Sequence, residues 1–313
     1  MNKNSKIFVA GHLGLVGSAI CRKLQELGYS NIIKRTKKEL DLRDQVKTKL
    51  FFEKEKPEYV FLAAAKVGGI GWNAECPADF IYDNLQIQNN VIDSAYRSGV
   101  SKLLFLGSAC IYPKITEQPI KEEYLMSSYL EPTNEGYALA KIAGMKMCKF
   151  YRKQYGFNAI SVMPANLYGI NDNFNIEQCH VIPALIKKFH DAQELNLSSV
   201  SCFGDGTPRR EFLLVDDLVD ACLFLMDTYN FGEYVNIGSS SDISIKDLAY
   251  LIKDLTGFKG DVVWDTNKPN GTPVRKLDVT KMKALGWEAS IELKEGLEQT
   301  YEWFKKYNKE IRK

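Results

Sequence analysis

Short apolar runs alternate with longer amphipathic segments through the first half of the chain. The runs lie near residues 6, 31, 59, 102 and 159 and read K-I-F-V-A, N-I-I-K, Y-V-F-L-A-A-A, K-L-L-F-L-G and A-I-S-V-M-P. Such runs are typical of buried strands, and the segments between them are long enough for helices. The pattern predicts an α/β fold with a doubly wound parallel sheet of the Rossmann type.

The pattern loosens after Gly169 into Asn- and Gly-rich connections. A helix is predicted from about His180 to Gln193, and the chain is expected to return to the sheet between about Arg210 and Gly238. We therefore expect a cofactor domain over residues 1–170, rejoined by about 211–240. Residues 171–210 and 241–313 are expected to form a smaller, discontinuous substrate domain, with a cleft between the two.

The composition narrows the function classes. The chain has 313 residues, of which 45% are hydrophobic and 26% charged, and its formal net charge is +2. This balance gives no reason to expect a nucleic-acid or membrane partner. Neither a signal peptide nor a long apolar stretch is visible, so a cytoplasmic location is expected. Because the seven cysteines include no C-x-x-C pair and only three histidines are present, no metal site is predicted.

The first predicted strand continues directly into G-H-L-G-L-V-G. Glycines at this spacing permit a tight turn and let the backbone approach a pyrophosphate, whose charge a helix N-terminus favours. The alternative is a turn that only packs a strand against a helix. The motif predicts dinucleotide binding by all seven residues: Gly11, His12, Leu13, Gly14, Leu15, Val16 and Gly17.

The end of the second predicted strand reads K-R-T-K-K-E-L-D-L. Basic side chains at this place accept the 2′-phosphate of NADP(H), whereas an acidic one would bind the ribose hydroxyl of NAD(H). Arg35, Lys37 and Lys38 therefore favour NADPH/NADP+, with Asp41 and Leu42 beside the adenine. An ordinary basic surface turn is the alternative.

Tyr137 and Lys141 lie four residues apart in N-E-G-Y-A-L-A-K. On a helix they share one face, where the ammonium is expected to lower the phenol pKa from its ordinary value of about 10. Such a phenol suits a general acid that protonates a carbonyl oxygen during hydride delivery. Ser108 follows the strand near residue 102, at the sheet edge where ligands bind. The alternative is an amphipathic helix without chemistry.

Further motifs extend along nearly the whole chain. They read A-A-A-K-V-G-G-I (63–70), P-A-D-F-I-Y (77–82), L-E-P-T-N-E (130–135), K-I-A-G (141–144), N-L-Y-G (166–169), H-V-I-P-A-L (180–185) and R-E-F-L (210–213). Together with Ser108, Tyr137 and Lys141, this set resembles the GDP-L-fucose synthase family of extended short-chain dehydrogenase/reductases. The resemblance implies a substrate, GDP-4-keto-6-deoxy-mannose, that is inverted at C3 and C5 and reduced at C4 with NADPH.

The resemblance also implies catalytic roles. Tyr137 would give its proton to the C4 oxygen, Ser108 would hold that oxygen, and Lys141 would bind the nicotinamide ribose. Cys110 and His180 would exchange protons at C3 and C5, since a thiol and an imidazole both do so near neutral pH. The alternatives are a gap-filling cysteine after a strand and a helix-capping histidine.

Binding residues follow from the same resemblance. For the cofactor it adds Ala63, Leu106, Gly107, Pro164, Ala165, Asn166, Leu167 and His180. For the GDP-sugar it implies Lys188 and Arg210 at the diphosphate, Phe203 against the sugar or base, and Asn270. The chain departs from the family at Gly136 for a proline, Ala165 for a threonine, Phe203 for a tryptophan and Asn270 for an aspartate.

Other functions and the assembly state remain open in the sequence. Related enzymes act on GDP-4-keto-3,6-dideoxy-mannose towards colitose or on GDP-4-keto-6-deoxy-heptose, and some of these lack the epimerising pair. A C4 epimerase with bound NAD and a non-catalytic NADP-binding sensor are further alternatives. The resemblance implies a homodimer through the Tyr137 helix and the helix over about 85–98. Apolar residues there could serve the dimer or the core: Ile87, Val91, Ile142, Met145 and Phe150.

Overall fold

The structure is a computed structural model that describes residues 1–268 and 270–308. Pro269 and residues 309–313, which belong to the predicted substrate domain, lie outside the described residues. The strands are β1 (Ile7–Ala10), β2 (Ile32–Ile33), β3 (Tyr59–Leu62), β4 (Lys102–Leu106), β5 (Ala159–Pro164), β6 (Asn166–Tyr168), β7 (Ser199–Phe203), β8 (Arg209–Leu214), β9 (Val235–Ile237), β10 (Asp242–Ser244), β11 (Asp261–Asp265) and β12 (Val274–Arg275).

The described residues contain ten α-helices. They are α1 (Leu15–Glu26), α2 (Gln45–Glu55), α3 (Ile70–Glu75), α4 (Pro77–Arg97), α5 (Glu135–Tyr155), α6 (Val181–Glu194), α7 (Val215–Thr228), α8 (Ile245–Thr256), α9 (Thr280–Leu285) and α10 (Leu293–Tyr307). In the described part of the chain, none of them combines the length and apolar character that crossing a bilayer requires.

The predicted parallel sheet is confirmed. Six strands pair in the order β2-β1-β3-β4-β5-β9, and every neighbouring pair is parallel. β2 lies on one side of β1 and β3 on the other, so the connections diverge at the carboxyl ends of β1 and β3. In open α/β sheets this divergence creates the crevice where ligands bind.

Helices cover both faces of this sheet, which explains why its strands are apolar along their whole length. α2, α4 and α5 pack side by side, and α1 packs against α7. Leu103 and Leu104 of β4 have no exposed surface, and β5 is buried at every position. α5 ends at Gly156, whose φ of +71° is the left-handed conformation that commonly terminates a helix.

The expected return between about Arg210 and Gly238 is made near the end of that range, while other strands form separate sheets. Only Val235–Ile237 returns to the large sheet. β8 instead pairs with β10, β12 and β6. Arg210 of β8 stands opposite Ile243 of β10 on one side and Arg275 of β12 on the other. β7 pairs with β11. A second hydrophobic cluster lies under these strands, with Phe189, Leu248 and Phe304 fully buried in it.

Candidate active site

The glycine-rich turn joins β1 to α1. Gly11 has φ +85°, and a Cβ there would lie 2.7 Å from the main-chain nitrogen of Ala64, so the close approach of the two strand ends requires glycine. Gly14 is the N-cap of α1, no side chain caps this helix, and its first turn holds no acidic residue. The positive end of the helix dipole is therefore free to receive a phosphate, and the turn fits the pyrophosphate of a dinucleotide.

The other predicted cofactor residues lie at the same edge of the sheet, each at or just beyond a strand end. Ala165 donates its main-chain N–H to the Ile237 carbonyl at 2.9 Å, and the Asn166 amide donates to the Glu211 carbonyl at 2.8 Å. These bonds fix the loop beside the crevice. The structure brings this set together: Ala63 after β3, Leu106 and Gly107 at the end of β4, Pro164 and Ala165 at the end of β5, and Asn166 and Leu167 in β6.

The basic segment after β2 lies beside the glycine-rich turn. Lys37 and Lys38 are exposed, whereas Arg35 forms an ion pair with Glu55 at 2.8 Å. Asp41 is held by Arg43, whose nitrogens lie 2.7 and 3.0 Å from its carboxylate oxygens. These hydrogen bonds lower the pKa of the Asp41 carboxyl. Arg43 therefore holds Asp41, the residue predicted to lie beside the adenine. Nothing in the sequence indicated this role for Arg43.

Lys141 is buried on α5 and its ammonium reaches the end of β4. The Nζ atom donates a hydrogen bond to the Leu106 carbonyl at 2.6 Å and lies 4.9 Å from the centre of the Phe105 ring. Burial lowers the pKa of Lys141 from 10.5 to about 8. One hydrogen bond thus fixes the helix that carries Tyr137 to the strand that precedes Ser108.

Tyr137 is buried one turn earlier on α5, and its pKa differs from the sequence expectation. Burial raises the pKa of the phenol well above 10, the Cys110 thiol raises it further, and a hydrogen bond from the Ser108 side chain lowers it. The expectation that Lys141 lowers the pKa of Tyr137 is wrong. The Lys141 Nζ lies 5.8 Å from the ring centre, and burial of the phenol has the larger effect. The phenol is protonated at neutral pH, as a proton donor must be.

Ser108 and Cys110 lie on one short turn after β4. The Ser108 Oγ accepts a hydrogen bond from the Cys110 main-chain N–H at 3.2 Å, so Ser108 caps the turn as well as contacting Tyr137. The Cys110 Sγ lies 3.3 Å from Nδ2 of Asn134, at the start of α5. The turn therefore presents its hydroxyl to Tyr137 and its thiol to Asn134.

His180 stands at the N-cap position of α6 without acting as a cap, because its side chain makes no hydrogen bond to the helix. Its side chain is exposed at the surface, while desolvation by the protein packed around it lowers the pKa of the imidazole. The segment before it is anchored by the Gly69 N–H, which donates to the Gln178 carbonyl at 2.8 Å. An imidazole at this place can accept a proton and, once protonated, return it.

Two guanidinium groups lie side by side near the catalytic turn. Arg210 and Arg275 are paired across β8 and β12, and Arg275 is only 7% exposed. Burial, and then the charge of Arg275, lower the pKa of Arg210 to about 10. Among the described residues neither guanidinium forms an ion pair with a carboxylate, although Arg275 donates to the Ala109 carbonyl at 2.7 Å. The pair can bind an anion such as a diphosphate.

Of the remaining predicted substrate residues, Asn270 borders this pair, with its carbonyl 3.5 Å from an Arg210 nitrogen. The Phe203 ring is 61% exposed, and its centre lies 4.7 Å from Lys188 Nζ and 5.6 Å from Lys268 Nζ. Asn270 accepts a hydrogen bond from the Asp205 main-chain N–H at 3.0 Å. Sequence reasoning missed Arg275, whose only signal was its place in the P-N-G-T-P-V-R-K stretch.

A Rossmann sheet, a glycine-rich cofactor turn and a Ser-Tyr-Lys set at one sheet edge define an extended short-chain dehydrogenase/reductase. Residues 7–238 match the NAD dependent epimerase/dehydratase family. A protein of Arabidopsis thaliana named putative GDP-L-fucose synthase 2 is 60% identical over 97% of this chain and 93% of its own length. The chain belongs to the NAD dependent epimerase/dehydratase family, and within it to the GDP-L-fucose synthase group.

Solved structures extend the comparison. A GDP-6-OMe-4-keto-L-xylo-heptose reductase from C. jejuni superposes with a TM-score of 0.95 at 39% identity, over 98% of this chain and 99% of that one. A GDP-L-fucose synthetase from Naegleria fowleri bound to NADP gives a TM-score of 0.92 at 31% identity, over 100% of this chain and 98% of that one. Both structures share the fold across the whole of the candidate site.

Proposed function

We propose that the protein is a bifunctional enzyme that epimerises GDP-4-keto-6-deoxy-D-mannose at C3 and C5 and reduces its C4 ketone with NADPH to give GDP-L-fucose. One observation carries the proposal: the turn that places Ser108 against Tyr137 also places Cys110 in the same cleft. A site with only the first pair could reduce a ketone. The thiol adds a group that can move a proton on carbon.

The epimerisation follows from the acidity of the carbons beside the ketone. A base removes the C3 or C5 proton, the resulting enolate is held at the C4 oxygen, and an acid returns a proton to the opposite face. Cys110 and His180 are the proposed pair: one acts as the base, and the other, in its protonated form (thiol or imidazolium), is the acid that returns a proton. Ser108 and Tyr137 would donate hydrogen bonds to the enolate oxygen, where negative charge develops.

The reduction uses the same oxygen. NADPH, when bound at the glycine-rich turn, supplies the hydride to C4. Tyr137 would donate its proton to the C4 oxygen, which gains negative charge as the hydride arrives. Lys141, fixed to the Leu106 carbonyl, would hold the nicotinamide ribose.

The GDP part of the substrate is assigned to the second sheet. Arg210 would bind the diphosphate, supported by its lack of a carboxylate partner among the described residues. The exposed ring of Phe203, with Lys188 over one side, would pack on the sugar or base. Asn270 would border that surface.

The proposal is tested by mixing the protein with NADPH and GDP-4-keto-6-deoxy-mannose and following nicotinamide absorbance at neutral pH. We expect NADPH to be consumed in proportion to product, and the product to co-elute with GDP-L-fucose. The same reaction with NADH should be slower. If NADPH were not oxidised, the reductase assignment would be wrong.

A second candidate is a C4 reductase of a related GDP-4-keto-heptose, favoured by the superposition on the C. jejuni heptose reductase. This candidate needs Ser108, Tyr137 and Lys141 but not the thiol of Cys110. Comparing kcat/KM for the deoxy-hexose and the heptose substrates separates the two. A higher value for the heptose, without proton exchange at C3 or C5, would favour the second candidate.

We also propose a homodimer through α4 and α5. Val91, Ile142 and Met145 are buried within the chain, so they cannot serve a partner. Leu139 and Phe150 remain exposed and, at a spacing of eleven residues, lie on one face of α5. Light scattering should report twice 35.5 kDa, and Phe150→Glu should shift the protein towards the monomer.

The predicted domains and compartment also remain proposals. The two hydrophobic clusters support a cofactor unit and a GDP-sugar unit, although Leu277 to Trp287 pack on the first cluster. Limited proteolysis with and without NADPH should protect residues 1–170 selectively. All seven cysteines are free in the described structure, which is compatible with a reducing cytoplasm.

A further inference from the structure

One polar contact in the cleft involves a residue to which the proposed mechanism gives no role. Asn134 Nδ2 lies 3.3 Å from the Cys110 Sγ. No other side-chain hydrogen bond of Asn134 is present in the described part of the chain, and its Oδ1 is buried without a partner there. The orientation of this amide is therefore determined by its contact with the sulfur.

The contact lies where two functional segments meet. Asn134 is the N-cap residue of α5 and precedes Tyr137 by three residues, which is less than one helical turn. Cys110 follows Ser108 by two residues on the facing turn. The start of α5 thus contacts the turn twice, through Tyr137 at Ser108 and through Asn134 at Cys110.

The charged and titratable groups around Cys110 come from three elements. Tyr137 on α5 interacts electrostatically with the thiol, as does Arg210 on β8. Arg275 on β12 donates to the carbonyl of Ala109, the residue before Cys110. A thiolate is disfavoured by phenolate and favoured by guanidinium, and a neutral N–H donor at the sulfur favours it without adding charge.

We propose that Asn134 is a positioning residue for Cys110: its amide N–H donates to the sulfur, fixes the side chain and favours the thiolate that removes the substrate proton. The role as a base rests on the proposed epimerase activity. The hydrogen bond itself does not depend on that activity, because it concerns only the ionisation of one thiol. An asparagine suits this place because it donates without competing for the proton.

The test measures the rate of Cys110 alkylation by iodoacetamide as a function of pH, with mass spectrometry of the peptide that contains Cys110. In Asn134→Ala the midpoint of the rate curve should move to higher pH, and alkylation at pH 7 should slow about tenfold or more, the effect of one lost hydrogen bond to a charged group. Asn134→Asp, which keeps the size but places a carboxylate at the sulfur, should slow it further. Cys76, half-buried at the start of α4, is the internal control in every sample.

An unchanged curve for Cys110 in Asn134→Ala would overturn the proposal, as would an equal shift at Cys76. A shift to lower pH would also overturn it, because it would mean that the amide carbonyl accepts a hydrogen bond from the thiol. NADPH binding and thermal unfolding establish that each variant is folded, and Asn134→Asp provides the result if the alanine variant does not fold. A parent protein without deuterium exchange at C3 and C5 would contradict the epimerase activity, while the alkylation curve would still decide the role of Asn134.

Discussion

The ammonium of Lys141 donates a hydrogen bond to the Leu106 carbonyl at 2.6 Å, and this bond connects the catalytic helix to the central sheet. Both partners are buried, so the bond is made where water does not compete. The pKa of the ammonium falls to about 8 for the same reason. The burial of Lys141 thus explains both its undisturbed hydrogen bond to Leu106 and its lowered pKa.

This burial predicts a dependence of stability on pH. Between pH 8 and 10.5 the unfolded chain binds a proton at Lys141 that the folded protein has lost, so the free energy of unfolding should rise with pH in that range. Lys102 is buried with a pKa of about 8 and should contribute in the same direction. Denaturant unfolding at pH 7.5, 8.5 and 9.5 should show a shallower rise in Lys141→Met and in Lys102→Met.

The two variants should differ in activity. Lys102 donates to the Leu225 and Met226 carbonyls, away from the sheet edge that carries the site, and Lys102→Met should keep the parent kcat. Lys141→Met should weaken NADPH binding and slow reduction by about 10²-fold or more. Equal losses of activity in both variants would mean that Lys141 acts only through stability.

Tyr137→Phe removes the proposed proton donor while keeping the ring against Phe80. Reduction should slow by about 10²–10⁴-fold and NADPH binding should remain, whereas solvent exchange at C3 and C5 should slow less, because Ser108 still donates to the enolate oxygen. Tyr250→Phe, on the exposed face of α8, is the matched control and should behave as the parent. If Tyr137→Phe reduced the substrate at the parent rate, Tyr137 would not be the proton donor.

The sequence predicted those features whose signals are local. The glycine turn, the spacing of Tyr137 and Lys141, and the buried strands each depend on a few neighbouring residues. The pairing of Arg210 with Arg275 joins positions 65 residues apart and has no local signal. The raised pKa of Tyr137 was missed for the same reason, since burial depends on the packing of distant segments.

Cys110→Ser and His180→Gln should separate epimerisation from reduction. A serine keeps the size of the cysteine but ionises far above neutral pH, and glutamine cannot exchange a proton. Deuterium uptake at C3 and C5 should fall by about 10²-fold or more in each variant. Slow reduction of the unepimerised ketone should remain, giving GDP-rhamnose or a mixture. Cys76→Ser is the control, and parent exchange in both active-site variants would show that other residues carry the epimerisation.

Cofactor selectivity should depend on the basic segment after β2. Arg35→Ala combined with Lys37→Ala should lower the preference for NADPH over NADH by roughly 10- to 100-fold, because charged hydrogen bonds to the 2′-phosphate are lost. Binding of NADH should change little. Lys49→Ala, on the exposed face of α2, is the control. Calorimetric titration with both cofactors gives the ratio, and an unchanged ratio would place the 2′-phosphate elsewhere.

In the proposed mechanism one cleft holds both the proton-transfer pair and the reductase set. The most direct test is complete turnover of GDP-4-keto-6-deoxy-mannose with NADPH in heavy water, followed by NMR of the purified product. We expect GDP-L-fucose with deuterium at C3 and C5, hydrogen from NADPH at C4, and one NADPH consumed per product. A reduced product without deuterium at C3 and C5 would contradict this mechanism, because the site would then be a reductase alone.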